Sequence, residues 1–275
     1  MTNIRLLVLD VDGTIAGPSN QVSPGVLQVL KQVKAQGIKV AIATGRMYCS
    51  AYRFHQAIRS TEPLIAYNGA WIQQPGTAQP LLHRTVPSKR VAEIIDFVEQ
   101  SEAWQTRVEI HLYAEDQLFL SKTTPQAEAY LDRSGVPAQT LTDMRSLLDR
   151  DLTKVLLSSA DPDVITELMA VFRDRYNPQE LHITQSTETY LEFTQSNTNK
   201  GTALAYLAQK HYHWPLEQIM AIGDNFNDLE MLQAVGIGVA MGNAPIGVKE
   251  QADWVTKSVE ADGVVVAVEK FLLSD

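Results

Sequence analysis

Six side chains in this sequence are of the types and spacings that could do chemistry together: Asp10, Asp12, Thr44, Lys200, Asp224 and Asp228. Asp10 and Asp12 lie in "LLVLDVDGTI", and a spacing of two puts both on one side of an extended chain. Asp224 and Asp228 lie in "AIGDNFNDLEML". Any one of these acids could be an ordinary turn or cap residue, and Asp224 could cap the helix that follows it. Four at strand ends repel one another and need a cation. Oxygen ligands favour Mg²⁺ or Ca²⁺ over zinc, few carboxylates beside a phosphate suit Mg²⁺, and no EF-hand spacing is present. Thr44 can offer its hydroxyl and its backbone N–H to an anion. Lys200 opens a predicted helix, where free N–H groups and the dipole favour negative charge. Acids, a metal, a hydroxyl and a lysine together make up a phosphoryl-transfer pocket.

Elements far apart in sequence must bring these residues together. "IRLLVLD", "IKVAIAT" and "IMAIGD" read as buried strands, ending at Asp10, Thr44 and Asp224. Helical segments alternate with them. "SPGVLQVLKQVKAQG" has Ser23 as N-cap, Pro24 at the first helical position and Gly37 at its close. Others run from Met47 to Arg59, through "GTALAYLAQKHY" and "NDLEMLQAV", and from Asp262 to Leu273. "PLIAYNGAWI" is a third apolar run, and its Asn68-Gly69 pair is a hairpin signal. Alternating strands and helices predict a Rossmann-like, doubly wound parallel sheet, which binds ligands at the carboxyl ends of its strands. All six residues would then share one rim.

The pattern changes in the middle of the chain. A helix is predicted from Ser88 to Glu102, then strands in "TRVEIHLYA" and "QLFLSK" and a helix from Pro125 to Ser134. A strand in "TKVLLSSA", a helix in "PDVITELMAVFRDRY" and the strands "ELHITQS" and "TYLEFTQ" follow. Strands without helices between them favour antiparallel pairing. The fold expected is therefore α/β, with a core domain from residues 1–84 and 195–275 and an inserted α+β domain at 85–194.

Composition narrows the partners. The formal net charge is -9, against a nucleic-acid backbone binder or a surface docked on anionic lipid. No apolar run approaches the roughly 18 residues that span a bilayer. The N-terminal residues lack the pattern of a signal peptide, and the single cysteine excludes an internal disulfide framework. A cytoplasmic protein is expected.

"DVDGT", "ATGR", "NKGTAL" and "GDNFNDLEML" resemble, in order and position, the four motifs of the haloacid dehalogenase superfamily. The inserted domain and the phrases "YNGA" and "GVAMGNA" are similar to its Cof-type (subfamily IIB) phosphatases. The resemblance implies a HAD-like core with a cap, acting on a small phosphorylated metabolite such as a sugar phosphate, pyridoxal phosphate or a nucleotide. It implies Asp10 as nucleophile, forming an aspartyl phosphate, and Asp12 as general acid and then base. An aspartate at the second of these positions matches the family's phosphatases and phosphomutases rather than its dehalogenases. It implies Mg²⁺ held by the Asp10 carboxylate, the Asp12 carbonyl and Asp224. Asp228 would bind the metal through water or orient Lys200. Thr44, Gly45 and Lys200 would hold phosphoryl oxygens, and Asn227 would reach the phosphate too. The one departure is "FTQSNTN" before Lys200, which lacks the expected Gly or Pro.

Other residues have plainer readings beside functional ones. Arg46 could touch substrate or pair with local acids, and Asn68 could bind substrate or only turn a hairpin. Cys49 reads as a small core residue, and the spacing of His211 and His213 does not suit a metal site. Trp104, Arg107, His111 and Tyr113 could face a pocket, with the last three on one face of a strand. Alternatives to a phosphatase are a phosphomutase with the same pocket, or a non-catalytic phospho-acceptor or phospholigand sensor. Receiver-type acceptors are shorter and carry the acceptor after a later strand. The protein is expected to be a monomer or homodimer.

Overall fold

The computed structural model describes residues 3–274, apart from the side chain of Ser186. In chain order, the first segment contains β1 (Leu6–Leu9), α1 (Pro24–Ala35), β2 (Lys39–Ile42), α2 (Tyr48–Ala57), β3 (Leu64–Ala66), β4 (Trp71–Gln73) and β5 (Leu82–His83). The middle contains α3 (Ser88–Glu99), β6 (Glu109–Ala114), β7 (Gln117–Leu120), α4 (Pro125–Ser134), β8 (Ala138–Thr140), β9 (Leu152–Ser158), α5 (Pro162–Arg175), β10 (Leu181–Thr187) and β11 (Tyr190–Gln195). The last segment contains α6 (Lys200–Leu207), β12 (Ile219–Gly223), α7 (Leu229–Ala234), β13 (Ile237–Ala240), α8 (Ile246–Lys249), β14 (Trp254–Val255) and α9 (Gly263–Val268). The chain divides into two compact units, one of them His83–Thr198 and the other the two flanking segments.

The flanking segments build a five-stranded parallel sheet in the order β14-β13-β12-β1-β2. Every residue of β1 is buried, as a strand covered on both faces requires. Leu9 pairs with Ile222 on one side and Ile42 on the other. This common register brings the next residues of all three strands to one edge. Ser23 caps α1 by accepting a hydrogen bond from Val26 N, and Pro24 opens the helix as its sequence predicts. α6 packs closely on α7, because a Cβ on Gly201 would lie 2.6 Å from the Glu230 carbonyl oxygen. The third apolar run leaves this sheet. Its β3 and β4 pair antiparallel around Tyr67–Gly69, and the bridge Ala43–Ile65, with hydrogen bonds from Tyr67 N to Arg46 O and from Asn68 N to Thr44 O, links it to the strand-end region of β2.

The inserted unit is a six-stranded sheet in the order β10-β11-β9-β6-β7-β8, antiparallel except for β7 with β8. β8 and the short β14 are too brief to show as strands in the sequence. One face packs against α3 and α5, burying Ile110, Leu112, Val155, Leu157, Leu191 and Phe193. Trp104 belongs to this core, where its indole fills space rather than a pocket. Arg107 precedes β6, so strand alternation does not place it with His111 and Tyr113; its guanidinium pairs with Asp161 instead. The missing glycine before Lys200 is replaced by Asn197, which takes the left-handed conformation at φ 56°. This is the doubly wound α/β fold with an inserted α+β unit. No helix among the described residues is long and apolar enough to cross a membrane.

Phe172 lies between Phe97 and Phe193, with ring centroids 4.9 Å from each, and is fully buried. Phe172→Ala is expected to destabilise the inserted unit by about 3–5 kcal/mol, from lost transfer energy and the cavity left behind. Urea denaturation followed by circular dichroism measures it, and a loss below roughly 1 kcal/mol would show that this cluster is not the unit's core.

Candidate active site

Asp10, Asp224 and Asp228 converge where β1 and β12 end, with one carboxylate oxygen of each within 4.8 Å of the others. Lys200 stands among them. It opens α6, whose N-cap Asn199 makes a reciprocal capping box with Thr202, and this fixes the first turn. Its Nζ donates to Asp10 Oδ1 and Asp228 Oδ1, both at 2.6 Å. Lys200 and Asp228 are 0% exposed and Asp10 is 5% exposed, so this is a dry ion-pair chain. Asp228 also accepts from the backbone N–H groups of Asp224 and Asn225, through its other oxygen, at 2.9 and 3.1 Å. One carboxylate thereby orients the lysine and closes the loop after β12.

The electrostatics follow from burial and crowding. Burial pushes the Asp10 carboxyl up; the Lys200 ammonium opposes this, and Asp228 and Asp224 add to it. Burial alone would lower Lys200, but Asp10 and Asp228 outweigh it and hold the ammonium protonated. Asp224 is pushed up to about 7, first by burial and then by Asp228. Its Oδ2 accepts from Asn243 Nδ2 at 3.1 Å, and it makes no ion pair among the described residues. Three carboxylates thus face one ammonium. The donor set is all oxygen, and the excess negative charge at Asp224 and Asp10 fits a hard divalent cation.

Asp12 does not join the cluster. The chain leaves extended geometry after β1, and Gly13 takes φ +76°. A Cβ at Gly13 would lie 2.1 Å from Asp224 Oδ2, so only glycine lets the two loops meet here. Asp12 turns instead to Arg46, whose Nε and Nη2 donate to its two oxygens at 2.7 and 2.6 Å. Arg46 Nη2 also donates to Asn20 Oδ1 at 2.8 Å, and its guanidinium lies 4.8 Å from the Phe54 ring centroid. Of the two readings of Arg46, pairing with a local acid is the one present. Of the four acids expected at this rim, three share one cluster, and the Asp12 carboxylate beside them still adds to the upward push on Asp224.

Thr44 is buried at the end of β2, but its backbone N–H is not free for an anion. It donates to Ile65 O at 2.9 Å, because the third apolar run continues alongside. Its Oγ1 accepts from Arg46 N at 3.2 Å, which leaves the hydroxyl proton to be given elsewhere. Asn227 Nδ2 donates to Asn68 Oδ1 at 2.9 Å, and the Asn68 amide also lies against Gly45. Asn68 has φ 52°, so it turns the hairpin and joins the rim as well. Asn243 was not among the residues singled out in the sequence. It ties Asp224 to Gly13, donating to Gly13 O at 2.9 Å, and Val259 N fixes its own oxygen. The phrase "GVAMGNA" after a predicted strand was its only signal. Cys49 is exposed rather than core, since α2 buries the stripe Ser50, Ala51, Phe54 and His55.

A buried acid–lysine–acid chain and a third carboxylate thus stand together at the ends of parallel strands. Residues 7–268 match the family model of haloacid dehalogenase-like hydrolases, and the chain belongs to that family. It is 30% identical over 266 residues to the 5-amino-6-(5-phospho-D-ribitylamino)uracil phosphatase YitU of Bacillus subtilis, covering 96% of each chain. It is 31% identical over 240 residues to an HMP-PP phosphatase of Escherichia fergusonii, covering 87% of this chain and 85% of that one. Among solved structures, TM0651 of Thermotoga maritima matches with a TM-score of 0.85 at 29% identity, covering 99% of this chain and 98% of that one.

Lys200→Met removes the ammonium between Asp10 and Asp228 and leaves both carboxylates buried without it. In metal-free buffer the variant is expected to be less stable by about 3–5 kcal/mol. Denaturant midpoints check this; a variant as stable as the parent would show that the lysine does not neutralise the pair.

Proposed function

We propose that the protein is a Mg²⁺-dependent phosphatase that hydrolyses the phosphate monoester of a small metabolite. The observation that carries this reading is the buried Asp10–Lys200–Asp228 chain beside Asp224, which lacks a cation of its own. Two relatives named as phosphatases of small molecules support the substrate class.

Asp10 is the nucleophile in this reading. Its carboxylate oxygen attacks phosphorus, the bond to the leaving oxygen breaks, and an aspartyl phosphate forms. Asp12 in its acid form gives the leaving oxygen a proton and releases the alcohol. It then takes a proton from water as that water attacks phosphorus, and phosphate leaves Asp10. Both Asp12 oxygens accept from the Arg46 guanidinium, which fixes the orientation of this carboxyl group at rest. Phosphoryl oxygens would compete for Arg46, and Asp12, 45% exposed in its side chain, is open to solvent. Lys200, the Thr44 hydroxyl and Asn227 would hold phosphoryl oxygens, with Gly45 and Asn68 shaping the rim. Asp10, the Asp12 carbonyl and Asp224 would hold Mg²⁺, with Asp228 behind them. When bound, the ion neutralises charge on the nucleophile and the phosphoryl group. The choice of leaving group is assigned to the inserted unit.

Phosphate-monoester hydrolysis needs acceleration of up to roughly 10²¹, while one preorganised donor supplies about 3–4 kcal/mol. No single contact is sufficient, so these groups must act together. Phosphate release from a panel of phosphorylated metabolites with Mg²⁺ is expected for the parent protein. It should fall to background in Asp10→Asn and be lost reversibly on chelation. Substantial Mg²⁺-dependent hydrolysis by Asp10→Asn would sink the nucleophile assignment.

A further inference from the structure

Between Gly13 and α1 the chain makes a detour, and that detour returns a side chain to the Arg46–Asp12 pair. Ala16 forms bridges with both Asp12 and Val22, so the loop is fastened at its base to Asp12 itself. Gly13 N also donates to Ala16 O at 2.8 Å. Residues 17–20 make the turn, with Asn20 N donating to Gly17 O at 2.9 Å. Pro18 stands at its second position, where a preset φ suits it.

Asn20 then takes φ 57°, a left-handed conformation that asparagine tolerates better than most residues. Glycine would meet that backbone need at lower cost. What asparagine adds is a carbonyl, and its Oδ1 accepts from Arg46 Nη2 at 2.8 Å. A guanidinium has only donors, so the amide oxygen is the end that faces it. The same nitrogen donates to Asp12 Oδ1 at 2.6 Å, and Nε donates to Asp12 Oδ2 at 2.7 Å. One N–H of Nη2 therefore goes to the acid and the other to Asn20. The Phe54 ring lies against the guanidinium, with its centroid 4.8 Å away. The Arg46 side chain is 11% exposed and that of Asp12 45%, so the enclosed partner orients the open one.

Arg46 meets two claims when a phosphate ester enters, one from Asp12 and one from phosphoryl oxygens. To leave Asp12 it must also give up Asn20. We propose that Asn20 is a positioning residue for Asp12, in the proton-donor role that the phosphatase reading gives that acid. It acts only through Arg46, keeping the guanidinium on Asp12 so that the acid faces the leaving oxygen. Protonated on one oxygen, Asp12 still accepts from Arg46 through the other. As the bond from phosphorus to the leaving oxygen breaks and Asp10 takes the phosphoryl group, the Asp12 proton passes to that oxygen.

The leaving group separates a positioning role from a merely structural one. p-Nitrophenoxide leaves without a proton, whereas p-nitrobenzyl alcohol needs one. Steady-state kinetics with Mg²⁺ on p-nitrophenyl phosphate and p-nitrobenzyl phosphate test this, and the parent is expected to hydrolyse both. Asn20→Gly keeps the left-handed turn and removes only the amide, and it should lower kcat/KM about tenfold more for the benzyl ester than for the phenyl ester. Asn20→Asp tolerates the same backbone and offers an oxygen to Arg46, and it should hold the benzyl ester within about threefold of the parent. Circular dichroism establishes that both variants are folded. An equal fall for the two esters in folded Asn20→Gly, or no fall for the benzyl ester, overturns the proposal and leaves the phosphatase reading standing. So does an Asn20→Asp variant no better than Asn20→Gly. A parent that hydrolyses only the phenyl ester overturns the positioning role alone, since no group then delivers the proton. A parent that hydrolyses neither overturns the phosphatase reading and this role with it.

Discussion

A single buried ammonium holds together the edge where β1 and β12 end. Lys200 is fully enclosed, yet it remains charged, because two carboxylates reach it at 2.6 Å and outweigh the cost of burial. Burying an ion without such partners costs several kcal/mol. The pairing therefore ties α6 to both the β1 and β12 ends. Asp10 comes from one strand end, Asp228 from the turn after the other, and the lysine from the first turn of a helix that follows the inserted unit. Each element must be placed correctly for the others to be tolerable in the interior.

That constraint also sorts the remaining polar groups. Asp228 spends one oxygen on Lys200 and the other on two backbone N–H groups, so its charge is fully answered by the protein. Asp224 has only the Asn243 amide, and burial with Asp228 nearby pushes it up to about 7. The Asp12 charge adds to that push, but after burial, Asp228 and the opposing Lys200. Gly13 turns the chain so that Asp12 meets Arg46 outside the cluster. The two acids of "DVD" are two residues apart in sequence but sit in different electrostatic settings, one dry and shared, the other half-exposed and clamped.

Much of this was legible because parallel strands in register align their ends. Once "LLVLD", "VAIAT" and "MAIGD" read as strands of one sheet, Asp10, Thr44 and Asp224 had to share an edge, whatever the loops did. Lys200 was legible as the start of a helix, but not its burial, which depends on where Asp10 and Asp228 point. Thr44 shows the limit most clearly. Its N–H looked free for an anion until the bridge between Ala43 and Ile65 claimed that part of the backbone. Asn243 bonds to a residue 230 positions away, and no local pattern encodes such a contact. Cys49 and Arg107 were misplaced for a simpler reason. Cys49 lies in the first turn of α2 and Arg107 two residues before β6, where a shift of one or two residues changes the face.

The inserted unit obeys a different logic. Its apolar face was readable from alternation, because Ile110, Leu112, Val155 and Leu157 must all point toward α3 and α5. The same alternation sends Glu109, His111, Tyr113, Lys154 and Glu192 to the opposite face, yet these are buried too. Lys154 lies 3.4 Å from Glu192 and over the Tyr113 ring, and Tyr130 of α4 meets both Tyr113 and His111. A half-buried antiparallel sheet would leave such residues in water. Enclosing them requires each to find a partner, and His111 Nδ1 and Ser158 Oγ have none. Core packing does not select for that. It selects for apolar side chains at those positions, so this polar face is held by pairing among its own members, Lys154 with Glu192, Tyr113 with Tyr130 and Thr124 with Glu109.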